Sequence, residues 1–346
     1  MKSSKFLWLR ASAATVVLTA PFVLAGCGSS GESADSAGTP PAAEGGCPVA
    51  PVHVVVSVDQ WGDIVSQVGG ACADVTTVLA GSSVDPHDYE PAPSDAALFE
   101  GAQLVVINGG HYDEWAAKLA ASSAPDAPVI NAVELSEGHS DEAGHDHDGD
   151  EGRDHADDHA DDHADDHAGE GNPHVWYSPA AVNEVAEAVT ARLSELAPDA
   201  TEYLDERHTE FTNVMKPYNE TIATIKAGAE GKSYAATESV FDDMAAALGL
   251  QNRTPEGYQL ASANEAEPAP ADLDAFLRLL EEGGVDVLIY NTQTEGSVPE
   301  QIRAAAEQAG VPVVEVTETL PPNADSFQVW QVGQLDSLAK ALGVPA

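Results

Sequence analysis

Apolar positions along this chain follow two alternating patterns. Short Val- and Leu-rich runs give way to longer stretches in which apolar residues recur every three or four positions. Val52–Val58 is such a run, as expected of a strand buried on both faces. Gln60–Val68 then predicts a helix closed by Gly69-Gly70. Val75–Leu79 predicts a strand, Ser94–Glu100 a helix, Leu104–Asn108 a strand, Glu114–Ala121 a helix and Val129–Asn131 a short strand. The second half repeats the style. Ser233–Thr237 reads as a strand, Val240–Leu248 and Ala271–Glu282 as helices, Val285–Tyr290 as a strand, Val298–Ala309 as a helix, Val313–Val316 as a strand and Ser326–Leu342 as a helix. Strand–helix alternation of this kind predicts an α/β protein with two halves, each a mostly parallel sheet with flanking helices.

A long helical stretch lies between the halves. Ser178–Leu196 carries Val182, Val185, Val189 and Leu193 on one face, and Pro198 breaks it. A second helix runs from about Asp199 to Lys226, with Tyr203, Phe211, Val214, Tyr218, Ile222 and Ile225 at helical spacing and a kink expected at Pro217. It reads as a stiff connection between two lobes. On pattern alone, two ordinary helices within one domain remain the alternative.

The N-terminus changes the compartment. Lys2, Lys5 and Arg10 precede an apolar run from Ala11 to Ala25, the form of an export signal. It ends in Leu24-Ala25-Gly26-Cys27, which resembles the lipobox of bacterial lipoproteins and implies acylation of Cys27. Residues 28–46 contain only small, polar and acidic residues and Pro, the composition of a flexible tether. Export implies an oxidising environment. Cys47 precedes the first predicted strand and Cys72 the second, so pairing of neighbouring parallel strands predicts a Cys47–Cys72 disulfide. The domain plan is then a signal peptide at 1–26, a tether at 27–47, an N-terminal lobe at 48–197, a linking helix at 198–228 and a C-terminal lobe at 229–346.

Charge narrows the function. Fourteen Lys and Arg stand against 58 Asp and Glu, a net charge of −44, and removing residues 1–26 takes it to −47. A nucleic-acid binder must neutralise phosphates with cations that are scarce here. Much of the acid lies in residues 137–170, which hold 15 Asp or Glu and 7 His: His139, His145, His147, His155, His159, His163 and His167. The last four repeat every fourth residue. The segment has nothing large and apolar to bury, so a mobile loop is expected. Neutral imidazole with carboxylates nearby suits zinc and its neighbours, which makes the loop a candidate accessory metal binder. A solvated acidic spacer is the alternative.

Two further His stand outside that loop. His87 lies in Asp85-Pro86-His87-Asp88-Tyr89-Glu90-Pro91 and His174 in Asn172-Pro173-His174-Val175-Trp176. Each follows a Pro, which restricts the backbone that presents the ring. These two motifs, the acidic His-rich loop between them and the linking helix together resemble the zinc- and manganese-type (cluster A-I) solute-binding lipoproteins of bacterial ABC importers. The resemblance covers roughly Val52 to Leu342. It implies two lobes joined by one long helix, with one metal held in the interlobe cleft by two ligands from each lobe. His87 and His174 match the first two ligands. The third ligand position falls on Glu238, in Ala236-Thr237-Glu238-Ser239-Val240-Phe241, and the fourth on Glu318, in Val316-Thr317-Glu318-Thr319-Leu320. Asp242, Asp243 and Glu315 are the nearest alternatives, and His111 is a candidate neighbour of the site.

The resemblance implies Zn2+ capture, with Mn2+ as the alternative. A Glu at the third position looks like the manganese branch and the His-rich loop like the zinc branch. It also implies delivery to an ABC permease with its ATPase, attachment to the outer face of the membrane through lipid, a monomer, and no enzymatic activity. Binding should weaken as pH falls through about 6.5, because the imidazoles must be neutral. A manganese protein with a separate zinc-buffering loop, a surface adhesin and a passive metal buffer are the rival functions. No His-Glu-x-x-His and no Gly-x-Ser-x-Gly occurs, which argues against a hydrolase.

Overall fold

Two four-stranded sheets, all their pairings parallel, organise the protein. The structure is a computed structural model that describes residues 46–81, 86–87, 89–138, 171–264, 266–294 and 296–346. The export signal, Cys27, nearly all of the tether and the seven His of the acidic loop lie outside the described residues.

The first sheet contains β1 (Val52–Val58), β2 (Ala73–Leu79), β3 (Leu104–Ile107) and β4 (Val129–Asn131), in the order β2-β1-β3-β4. β1 is central, and Val54, Val55 and Val56 are fully buried, which is why its sequence is apolar on both faces. α1 (Asp59–Gly69), α2 (Pro93–Leu98), α3 (Glu114–Ser123) and α4 (Ala132–Gly138) connect or flank these strands. A disulfide joins Cys47, ahead of β1, to Cys72, immediately before β2, with the Cα atoms 4.8 Å apart.

The second sheet contains β5 (Ser233–Ala236), β6 (Gln251–Asn252), β7 (Val287–Asn291) and β8 (Val313–Val316), in the order β6-β5-β7-β8. Its helices are α8 (Asp242–Leu248), α9 (Glu256–Ala263), α10 (Pro270–Glu281), α11 (Ser297–Ala309) and α12 (Phe327–Leu342). In both sheets the chain moves first to one side of its opening strand and then to the other. Such a switch point leaves a crevice at the carboxyl ends of the strands.

α5 (Pro179–Leu196), α6 (Thr201–Val214) and α7 (Lys216–Gly228) fill the stretch between the sheets. The expected kinked helix is two helices that meet at Met215. Pro217 occupies the first turn of α7, where its missing N–H costs nothing, so the break falls just ahead of the proline rather than at it. One apolar cluster runs from β1 through α5, α6 and α7 to β5, β8 and α12. Within it the Tyr177 ring packs against Phe241 and Trp330, at centroid distances of 5.3 and 5.9 Å.

Candidate metal centre

Four segments converge where the two sheets present their strand ends. His87 follows β2, His174 follows α4 across the acidic loop, Glu238 follows β5 and Glu318 follows β8. Local sequence fixes each approach. Pro173 and His174 lead into a tight turn, Val175–Tyr177, whose three side chains are buried. Ser178 then caps α5, its Oγ accepting from the Ala181 N–H with Pro179 in the first turn. Glu238 is fully extended, and a similar turn, Ser239–Phe241, buries Val240 and Phe241 beneath it.

The four side chains form one cluster, their nearest donor atoms all within 4.8 Å of one another. His87 Nε2 lies 3.2 Å from His174 Nε2, 3.7 Å from Glu238 Oε1 and 3.6 Å from Glu318 Oε2. His174 Nε2 lies 4.0 and 3.9 Å from the same two oxygens. A tetrahedron built on bonds of about 2.0–2.1 Å has edges of about 3.3–3.4 Å, so small inward movements would let all four atoms share one cation. Glu318 is wholly buried, His174 nearly so, and His87 and Glu238 face a cavity of about 300 Å³ that is also lined by Tyr258, Glu267 and Thr294.

Surrounding groups commit the remaining polar atoms. Asn172 Oδ1 lies 2.7 Å from His174 Nδ1 and accepts a hydrogen bond from the Nδ1–H in the tautomer that leaves a lone pair on Nε2. Burial, with the His87 ring alongside, pushes the His174 pKa well below the usual imidazole range. Burial thus favours the neutral form of this ring, the form that offers a lone pair to a cation. Asn291, at the end of β7, donates from Nδ2 to Glu238 Oε2 and to Glu318 Oε1, each at 2.7 Å. Thr294 also donates to Glu238 Oε2. Gln293 Oε1 accepts from the Glu318 and Thr319 N–H groups and fixes that loop. Tyr112 is buried edge-on to His87, with ring centroids 4.9 Å apart. Burial and the neighbouring Glu318 carboxylate keep its phenol neutral by raising its pKa well above the ordinary value.

The other candidates lie elsewhere. Asp242 accepts from the Tyr234 hydroxyl and from Gln259, and Glu315 pairs with Arg303. Neither joins the four-residue cluster, and nor does Asp243. His111 is exposed, has a left-handed backbone (φ 63°) and contacts Glu114. Asn172, Asn291, Gln293 and Thr294 were not among the candidates. The Asn directly before Pro173-His174 was the one readable signal, since a polar side chain there can reach back to the ring.

Residues 54–341 match the family model described as zinc-uptake complex component A, periplasmic. The chain is similar to the high-affinity zinc uptake system protein ZnuA of Bacillus subtilis, 28% identical over 333 residues that cover 94% of each protein. It is also similar to the manganese-binding lipoprotein MntA of Halalkalibacterium halodurans, 28% identical over 127 residues, 35% of this chain and 38% of that one. Among solved structures, the periplasmic zinc-binding protein TroA of Treponema pallidum has the same fold, with a TM-score of 0.65 and 17% identity, covering 85% of this chain and 99% of that one.

Proposed function

The chain belongs to the zinc-uptake complex component A family, and from that premise we propose that it captures zinc outside the cytoplasm and delivers it to an ABC permease. It is a metal-binding protein of the solute-binding class and not an enzyme. The ligands of this reading are His87, His174, Glu238 and Glu318, two from each lobe.

One observation favours zinc over manganese. Each carboxylate has one oxygen engaged by Asn291 and the other turned toward the histidines. That division supports one-oxygen coordination from each Glu, hence a four-coordinate site with two nitrogens and two oxygens. Zinc accepts such a site readily, whereas manganese favours more oxygens and a larger coordination number. The two neutral imidazoles and two carboxylates also balance the charge of one divalent ion. The manganese reading draws on the likeness to MntA and would require Glu238 or Glu318 to turn both oxygens inward.

In this account Cys27 carries lipid that holds the protein at the outer membrane face, and the acidic His-rich segment raises the local zinc concentration. The lobes at 48–197 and 229–346 close on the ion about the 198–228 helices, and the loaded monomer docks on the permease driven by its ATPase. A passive buffer or an adhesin would not need this four-ligand cluster. Chelator-competition titration tests the reading. One tight zinc site per chain, lost in His174→Ala, is expected. Tighter manganese than zinc binding would move the protein to the manganese branch.

A further inference from the structure

α1 carries Asp59, Asp63 and Gln67 at intervals of four, hence on one helical face. That face meets the segment following β8. The Asp59 carboxylate accepts from the Leu320 N–H at 3.1 Å, and Asp63 accepts from the Phe327 N–H at 2.8 Å, at the start of α12. Gln67 pairs with Gln328 at 3.0 Å. These three rungs join residues more than 260 positions apart in sequence. Asp59 does more than the other two. Its second oxygen accepts from the Gly81 N–H at 2.7 Å, and Gly81 heads the segment that leads to His87. Leu320 lies two residues beyond Glu318. A single carboxylate thus holds one backbone N–H at the end of β2, six residues ahead of His87, and another two residues beyond Glu318. Two backbone N–H donors aimed at one anion are the strong kind of hydrogen bond, and they offset part of its desolvation.

We infer that Asp59 is a positioning residue for metal capture: it clamps the His87 segment to the Glu318 segment, keeps the ligand cluster closed before the ion arrives, and slows release afterwards. The inference rests on the four-ligand reading, but the clamp itself can be measured without metal. Asp59→Asn keeps the size of the side chain. Its amide nitrogen would face one of the two N–H groups as a donor against a donor, so one of the two bonds must be lost.

The test uses spin labels on Glu195→Cys in α5 and Glu300→Cys in α11, both outside the site, with the distance distribution measured by pulsed electron resonance in metal-free protein. Zinc release into excess chelator is followed in parallel by stopped flow. The expected result is a broader or longer distance distribution in Asp59→Asn, and zinc release faster by about tenfold, which corresponds to ~1.4 kcal/mol. Asp63→Asn, which weakens a rung without touching the His87 segment, should speed release less. An unchanged distance distribution in metal-free Asp59→Asn overturns the clamp, whatever zinc does. So does a variant in which apo and zinc-bound melting temperatures fall equally while release is unaltered, because that describes a local structural role. A broadened distribution in a protein whose wild type holds no zinc would keep the clamp and remove the metal reading. If Asp59→Asn does not fold, Asp59→Glu, which retains both acceptors on a longer arm, decides by the same two readouts.

Discussion

Asn291→Ala should weaken zinc binding and narrow the preference for zinc over manganese. The wild-type amide donates to both carboxylates at 2.7 Å, and the Glu318 side chain is wholly buried. A hydrogen bond to a charged group contributes about 1.5–3 kcal/mol, so two of them set a gross effect of about 3–6 kcal/mol. The net effect on affinity is smaller, because the bound ion takes over part of the carboxylate charge. Loss of an outer partner of a metal ligand typically costs about 10–100-fold, or ~1.4–2.8 kcal/mol, and that range is the prediction here. Glu318 Oε1 then loses the Asn291 amide while Thr294 still donates to Glu238 Oε2, so two-oxygen coordination opens chiefly at Glu318. Manganese affinity should therefore fall less than zinc affinity. Titrations of both ions against a chromophoric chelator give both numbers. A zinc affinity within twofold of wild type, or a larger loss for manganese, would refute the role given to Asn291.

His174→Ala should weaken zinc binding by at least about a thousandfold, whereas Asp242→Asn and Glu315→Gln should leave the affinity within about threefold, as expected for side chains outside the coordination shell; the same titration reads all three. Burial and the neighbouring Asp242 raise the Asp243 pKa to about 6. Its folded form therefore holds a proton that the unfolded chain has lost between pH 3.8 and about 6, and stability from this group falls as pH rises through that window. Asp243→Asn should accordingly stabilise the protein at pH 7.5 by about 1–2 kcal/mol, a figure reduced for partial solvent screening, and should have little effect at pH 4. Urea denaturation at the two pH values checks the sign. Cys72→Ser opens a link between residues 25 apart and should lower stability by about 3 kcal/mol, with the same loss on reducing the wild type before denaturation.

Sequence legibility followed burial. β1, β3 and β7 are buried on both faces, so their apolar runs stood out. α4 and α9 were missed because their apolar content is thin: Val133 and Leu135 in one, Tyr258 and Leu260 in the other. The two His could be picked out because each follows a Pro and precedes aromatic residues, and the structure draws both into one cluster with Glu238 and Glu318. Asn291 was hidden because the strand was expected to end at Tyr290, and β7 runs one residue further and presents Asn291 to both carboxylates. Asp59 could not be found at all. Its partners are Gly81 and Leu320, and only the packing of α1 against the segment after β8 brings them together.

The most direct test of the central claim is the zinc stoichiometry and affinity of the protein lacking residues 139–170, compared with the same deletion carrying His174→Ala. One tight zinc site that survives the deletion and vanishes with His174 is the result this account predicts. Loss of all tight zinc binding on removing the acidic segment would contradict it and leave the four-residue cluster without the role assigned to it.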